Sequence, residues 1–122
     1  MTNVILQSFD WTFLTAVHAL EPNVCLCALG SGTLSAATLT DILNTGARTL
    51  AWEQSAITSN EVALVHGAGL SLLVWTVDGP LIRRFIDLQT DGIISNDPQM
   101  VRATQQPSTN TLSSLTNQLF AY

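Results

Sequence analysis

The chain has 122 residues, of which 47% are hydrophobic and 11% charged, and its formal net charge is −5. So much apolar content excludes a disordered chain, and the length suits one domain or part of one. Four arginines and no lysine leave no clustered cations for nucleic acid or an anionic membrane surface.

Val4 to Phe9 (VILQSF) reads as a buried strand, with Ile5, Gln7 and Phe9 on one face and Val4, Leu6 and Ser8 on the other. Asp10 or Thr12 then starts a helix carrying Phe13, Leu14, Val17 and Leu20, ended by Glu21-Pro22-Asn23. Val24 to Leu29 is a second buried strand, and it holds both cysteines, Cys25 and Cys27. Two apart on a strand, they point the same way at about 6–7 Å. That suits neither an ordinary disulfide nor a complete metal site, so they read as small buried fillers in a reducing compartment.

Gly30 to Ser35 (GSGTLS) reads as a connecting loop, because the lysine and spacing of a phosphate-binding loop are missing. A short helix follows on Leu39, Ile42 and Leu43, then a third strand from Arg48 to Trp52. Thr58 to His66 is a well-signposted helix. Thr58 or Ser59 caps it, Glu61 sits in its first turn, and Gly67 and Gly69 terminate it.

Leu70 to Val77 is an apolar run without alternation, the pattern of a strand covered on both faces in a parallel sheet. Asp78 or Gly79 caps the helix of Leu81 to Leu88, and Pro80 suits its first turn. A fifth strand runs from Gly92 to Ser95, and a last helix begins after Pro98, with Asp97 as its cap. From about residue 105 to 122 the chain turns polar and breaker-rich (QQPSTN). Leu112, Leu115, Leu119 and Phe120 then recur at helical spacing, as a short amphipathic segment. The expected organisation is a body over 1–104 and a tail over 105–122.

Alternating strands and helices, five times over, imply right-handed crossovers and a parallel sheet with helices outside. Five units are too few to close an eight-stranded barrel, which takes about 250 residues. No basic leader, signal-peptide core or run of about 18 apolar residues occurs, so no membrane span is expected.

Three pieces, in order, resemble the glycerophosphodiester phosphodiesterase family: LQSFDW (Leu6 to Trp11), HGAGLSLLVWTVD (His66 to Asp78) and TDGIISNDP (Thr90 to Pro98). The family shows a strand ending in Ser-Phe-Asp, a later Trp-Thr-Val-Asn, and a closing Gly-Ile-Ile-Thr-Asp or -Asn before Pro. The resemblance runs from Val4 to about Arg102 and implies an α/β fold. It is a partial TIM (β/α)₈ barrel of five parallel β-α units, corresponding to strands four to eight.

Family members carry their chemistry on strands one to three, as His-Arg-Gly, a Glu and an Asp, a further His and a Glu. No segment of this chain matches those motifs. The resemblance therefore implies no catalytic residue and no metal ligand here, although Mg²⁺ or Ca²⁺ is implied for the full-length family member. The family reaction is hydrolysis of a glycerophosphodiester to an alcohol and glycerol 3-phosphate. The chain is expected to supply pocket wall and to be inactive alone.

Trp75 would form one wall of the glycerol-phosphate pocket, and Phe9 would pack on the substrate's carbon backbone. Gln7 is turned inward with Phe9, because a glutamine at a half-wet barrel mouth is easier to satisfy than one under a helix. Asn96 stands where the family often has Asp. A neutral amide there hydrogen-bonds a substrate hydroxyl but binds metal poorly.

Trp52 ends its strand at the same rim or serves packing alone. His66 and His18 lie in helices, away from the strand ends where barrel chemistry sits. Arg83 and Arg84 read as a solvated helix face, unless one is turned to a phosphate at the rim. An alternative to the pocket-wall reading is a non-catalytic partial barrel whose two open sheet edges pair with a second copy or with a chain bearing strands one to three. Cytoplasm is the default compartment, with the periplasm open as well, since family members occur on both sides of the inner membrane.

Overall fold

The computed structural model describes residues 4–105 and the strand residues 120–121. Its strands, in chain order, are β1 (Ile5–Ser8), β2 (Cys25–Gly30), β3 (Thr49–Glu53), β4 (Ser71–Trp75), β5 (Gly92–Ile93) and β6 (Phe120–Ala121). They form one sheet in sequential order, every neighbouring pair parallel. Between them run helices α1 (Trp11–Leu20), α2 (Ala36–Asn44), α3 (Ser59–Gly67), α4 (Leu81–Asp87) and α5 (Pro98–Gln105). The five β-α units read from the sequence are all present, their boundaries shifted by a residue or two at most of the ends.

The register sorts the strand residues into two faces. Leu26, Ala28, Leu50, Trp52, Leu72, Val74 and Ile93 point to the helices and join Leu14, Ile42, Val65, Ile82, Phe85 and Val101 in one buried cluster. The opposite face carries a much smaller cluster of Cys27, Ala51 and Leu73, with Leu29, Trp75 and Ile94 packed on it. The sequence looked apolar on both strand faces, and β2 to β4 are indeed buried on both. Their helix side holds most of the mass.

The caps explain why the helices start where they do. Asp10 accepts from Phe13 N at 3.1 Å, Ser35 from Thr38 N at 3.3 Å, and Asp97 from Met100 N at 3.1 Å. Thr58 and Glu61 make a reciprocal capping box at the start of α3. Helix α4 departs from expectation. Pro80 is its cap residue and offers no side-chain hydrogen bond, while Asp78 is engaged elsewhere.

Two further expectations need correcting. Cys27 is buried, and its thiol is pushed up to about 12 by loss of solvent, but Cys25 is exposed. It pairs with Ile5 of the edge strand, where nothing among the described residues covers that face of the sheet. Phe120, the last position of the expected helical stripe, is instead a strand residue. It pairs with Gly92 while Ala121 pairs with Ile93, which uses backbone groups that β5 would otherwise leave open. Leu112, Leu115 and Leu119 lie outside the described residues.

Trp52 is 2% exposed and faces the helices, its indole donating to Gly32 O at 2.7 Å and tilted against Trp11. The close approach explains Gly30, where a Cβ would stand 2.3 Å from the Trp52 ring. Trp52 is therefore a packing residue. The GSG loop is the connection its composition suggested.

Candidate functional site

The carboxyl ends of the parallel strands form one rim, and it collects Phe9, Glu53, Trp75 and the Ser95-Asn96 turn. Glu53 pairs with Trp75 in register, so the two share the smaller, helix-free face. Trp75 leans across β3 to donate from Nε1 to Ala51 O at 3.1 Å. Phe9, three strands away, meets it edge-on with ring centroids 6.0 Å apart.

Strands about 4.8 Å apart put β1 and β4 some 14 Å from one another along the sheet. The indole's lean over β3 shortens that span. Trp75 packs on the Cys27, Ala51 and Leu73 cluster, beside Leu29 and Ile94. Phe9 is 63% exposed, so much of its ring stays open at the rim.

Gln7 lies on the same face, one row below Phe9, and it is exposed. Sequence reasoning thus put Gln7, Phe9 and Trp75 on a common face, and the structure joins the last two. Asn96 sits on the loop after β5, bound to Asp78. Its Nδ2 donates to Asp78 Oδ2 at 2.8 Å and its backbone N–H to Oδ1 at 2.9 Å. Ser95 Oγ adds a third donor at 2.7 Å.

Those three donors hold the Asp78 carboxyl below the ordinary range, the Ser95 hydroxyl contributing most. Glu53 is held low in the same way by the hydroxyl and backbone N–H of Ser55. Both carboxylates escaped the sequence reading. A Glu two residues before a Ser at a strand end was the available signal for Glu53, whereas Asp78 looked like an ordinary cap beside Gly79-Pro80.

Asp78 stitches the loop after β4 to the loop after β5. Its depressed pKa stabilises the fold above the unfolded Asp value of about 3.9, and this is lost as pH falls through the lower folded value. Asp78→Asn should therefore have a lower urea midpoint than the parent at pH 7. The gap should narrow steadily below about pH 4. A gap that stays constant down to acid pH would show that the carboxylate is not what joins the loops.

The other candidates are occupied elsewhere. His66 Nε2 lies 2.7 Å from Asp91 Oδ2, which also accepts from Leu72 N at 2.7 Å. This clamp sits at the amino-terminal ends of β4 and β5, the side opposite Trp75. His18 packs against Gly46 between α2 and β3. Arg83 pairs with Asp87 and reaches Thr104 O, and Arg84 donates to Ile57 O while lying over the Phe85 ring.

The rim does not fit a divalent ion. No group of three His, Cys, Asp or Glu side chains able to hold a metal occurs among the described residues, and Glu53 and Asp78 already accept from neighbouring donors. None of the described helices is long and apolar enough to cross a membrane.

The comparisons agree with this geometry. Residues 2–100 match the glycerophosphoryl diester phosphodiesterase family. A Silicibacter pomeroyi protein assigned as a glycerophosphoryl diester phosphodiesterase superposes with a TM-score of 0.73 at 25% identity, over 82% of this chain and 36% of its own. A glycerophosphodiester phosphodiesterase of Parabacteroides distasonis gives 0.66 at 26% identity, over 80% and 40%. An Oleispira antarctica phosphodiesterase gives 0.76 at 20% identity, over 85% and 43%.

No curated protein matches the chain. The solved relatives are TIM-barrel proteins, and the chain spans between 36% and 43% of their length. Their family is generally metal-dependent. Sheet order, parallel register and the match over residues 2–100 converge on one result: the chain belongs to the glycerophosphoryl diester phosphodiesterase family.

Proposed function

We propose that this chain forms the substrate-pocket wall of a glycerophosphodiester phosphodiesterase and supplies none of its catalytic groups. The observation that carries the reading is the Phe9–Trp75 pair at the carboxyl rim, with ring centroids 6.0 Å apart. An aromatic corner of this kind receives the carbon backbone of glycerol, while Gln7 and the Asn96 amide offer hydrogen bonds to its hydroxyls. The Oleispira antarctica relative was solved with its product, sn-glycerol 3-phosphate, a ligand of matching chemistry.

Hydrolysis adds water across a phosphorus–oxygen bond, leaving glycerol 3-phosphate and an alcohol that takes up a proton. A base for the water, an acid for the departing alkoxide and, in this family, a divalent ion such as Mg²⁺ or Ca²⁺ drive it. The motifs that carry those groups have no counterpart in the sequence; His66 is paired with Asp91 on the opposite side of the sheet ends, and His18 is packed beside Gly46.

The purified chain should show no metal-dependent turnover of glycerophosphocholine with Mg²⁺ or Ca²⁺. It should bind sn-glycerol 3-phosphate with a change in tryptophan fluorescence that Trp75→Phe abolishes. Turnover above background would place catalytic groups within these 122 residues and overturn the assignment. A fluorescence response that survives Trp75→Phe would remove the pocket wall.

A further inference from the structure

Trp75 brings carbon to the rim but no spare donor. The one polar atom of its side chain, Nε1, already donates to Ala51 O at 3.1 Å. Leu29 and Ile94, packed beside it, add further apolar surface. Polar recognition next to the indole therefore falls to neighbouring side chains, and Glu53 is its partner in the β3–β4 register. Ala51 lies two residues before Glu53 on the same strand, and so on the same face. The indole nitrogen is thus tethered to β3 one strand repeat, about 7 Å, from the position of Glu53.

The Glu53 carboxylate is held in a fixed orientation. Ser55 donates to it twice, from its backbone N–H to Oε2 at 3.0 Å and from its hydroxyl to Oε1. A carboxylate offers about four lone-pair sites. Ser55 takes one on each oxygen and leaves one on each, so two acceptors remain side by side. No ion pair claims them among the described residues. Asp78, the other rim carboxylate, is more nearly filled, with three donors from Ser95 and Asn96. The Ser55 hydroxyl also keeps the Glu53 carboxyl below its ordinary range, so at neutral pH it is an acceptor-only anion.

We infer, resting on the pocket-wall reading, that Glu53 determines specificity by accepting the two free hydroxyls of the glycerol moiety, whose carbons lie on the Trp75 indole. Vicinal hydroxyls can each donate to one oxygen of a carboxylate, and such bonds are charge-assisted. A hydroxyl both donates and accepts. The amides of Gln7 and Asn96 can therefore serve the oxygens of the same diol while Glu53 takes its protons.

The charge also sets the direction in which the ligand lies. A phosphate placed against Glu53 would meet a like charge, whereas a hydroxyl meets an acceptor. The diol therefore points to β3 and the phosphate away from it. Gln7 and Asn96 are neutral and cannot impose that direction. A ligand with the phosphate but without the hydroxyls would desolvate the carboxylate and return no hydrogen bond, which is how such a site discriminates.

The test is calorimetric titration of the purified chain with sn-glycerol 3-phosphate and with n-propyl phosphate, which keeps three carbons and the phosphate but lacks both hydroxyls. The parent should bind sn-glycerol 3-phosphate tighter by about tenfold or more. Glu53→Gln should cut that preference to about threefold or less, with the loss falling on sn-glycerol 3-phosphate alone. Affinity for propyl phosphate should hold or rise, because a like charge has gone. Ser55→Ala keeps the carboxylate but frees it to turn, and should give an intermediate preference. A parent indifferent to the hydroxyls, or Glu53→Gln with the full preference, overturns the role of Glu53 and leaves the pocket wall standing. Equal loss of both probes in Glu53→Gln marks a merely structural residue and overturns it as well. A parent that binds neither probe overturns the pocket wall and the diol contact together.

Discussion

Phe85→Ala should cost the chain about 3–5 kcal/mol of stability. Phe85 is fully buried, and with Ile82 it anchors α4 in the core, flanked by the half-buried Leu81 and Ile86. The helix has 7 residues and a cap residue, Pro80, with no side-chain hydrogen bond. A helix so short does not persist without tertiary support. Emptying the Phe85 site removes both the transfer free energy of the ring and its packing against the cluster.

Arg84 lies 4.9 Å from the Phe85 ring centroid and would lose that contact as well. Small domains are stable by about 5–15 kcal/mol, so the loss is a large share of the whole. Urea unfolding should show a lower midpoint at unchanged slope. A loss under about 1 kcal/mol would mean that α4 is not packed as described.

Gly46→Ala should be the second most damaging change, at about 2–4 kcal/mol, from two separable causes. Gly46 has φ of +94°, where a side chain costs about 1–2 kcal/mol. An added Cβ would also stand 2.3 Å from the His18 ring, which packs between α1 and the turn before β3. His18→Ala in the Gly46→Ala background should relieve the clash and leave the backbone cost. A double-mutant cycle should give a coupling of about 1–3 kcal/mol. Strictly additive effects would mean that the imidazole swings away without cost and that only the backbone matters.

The order of elements was legible because each strand announces itself as a short apolar run between breakers, as Leu70 to Val77 does after Gly67 and Gly69. Alternation was enough to put Gln7 and Phe9 on one face. What it could not show was how far Trp75 leans, because the indole's hydrogen bond to Ala51 O depends on a strand 24 positions earlier. Asp78 was misread for a related reason. Local rules offer a cap to the nearest helix, but the donors of Ser95 and Asn96, brought in by sheet pairing, compete successfully for the carboxylate.

Cys25 was read as buried because an apolar residue in a strand normally is. Burial there depends on what lies beyond β1, and no pattern within VILQSF encodes that. The tail shows the same limit. Phe120 fits a helical stripe by spacing, yet its backbone pairs with Gly92.

The unequal division of buried mass between the two sheet faces sets where this scaffold tolerates change. Among the described residues, twenty buried side chains fill the helix side of the sheet and three the opposite side. Folding therefore draws mainly on the helix side and little on the helix-free face. Positions such as Gln7, Thr49 and Ser71 are open to reshaping by selection or by a protein engineer, while the helix layer keeps the frame intact.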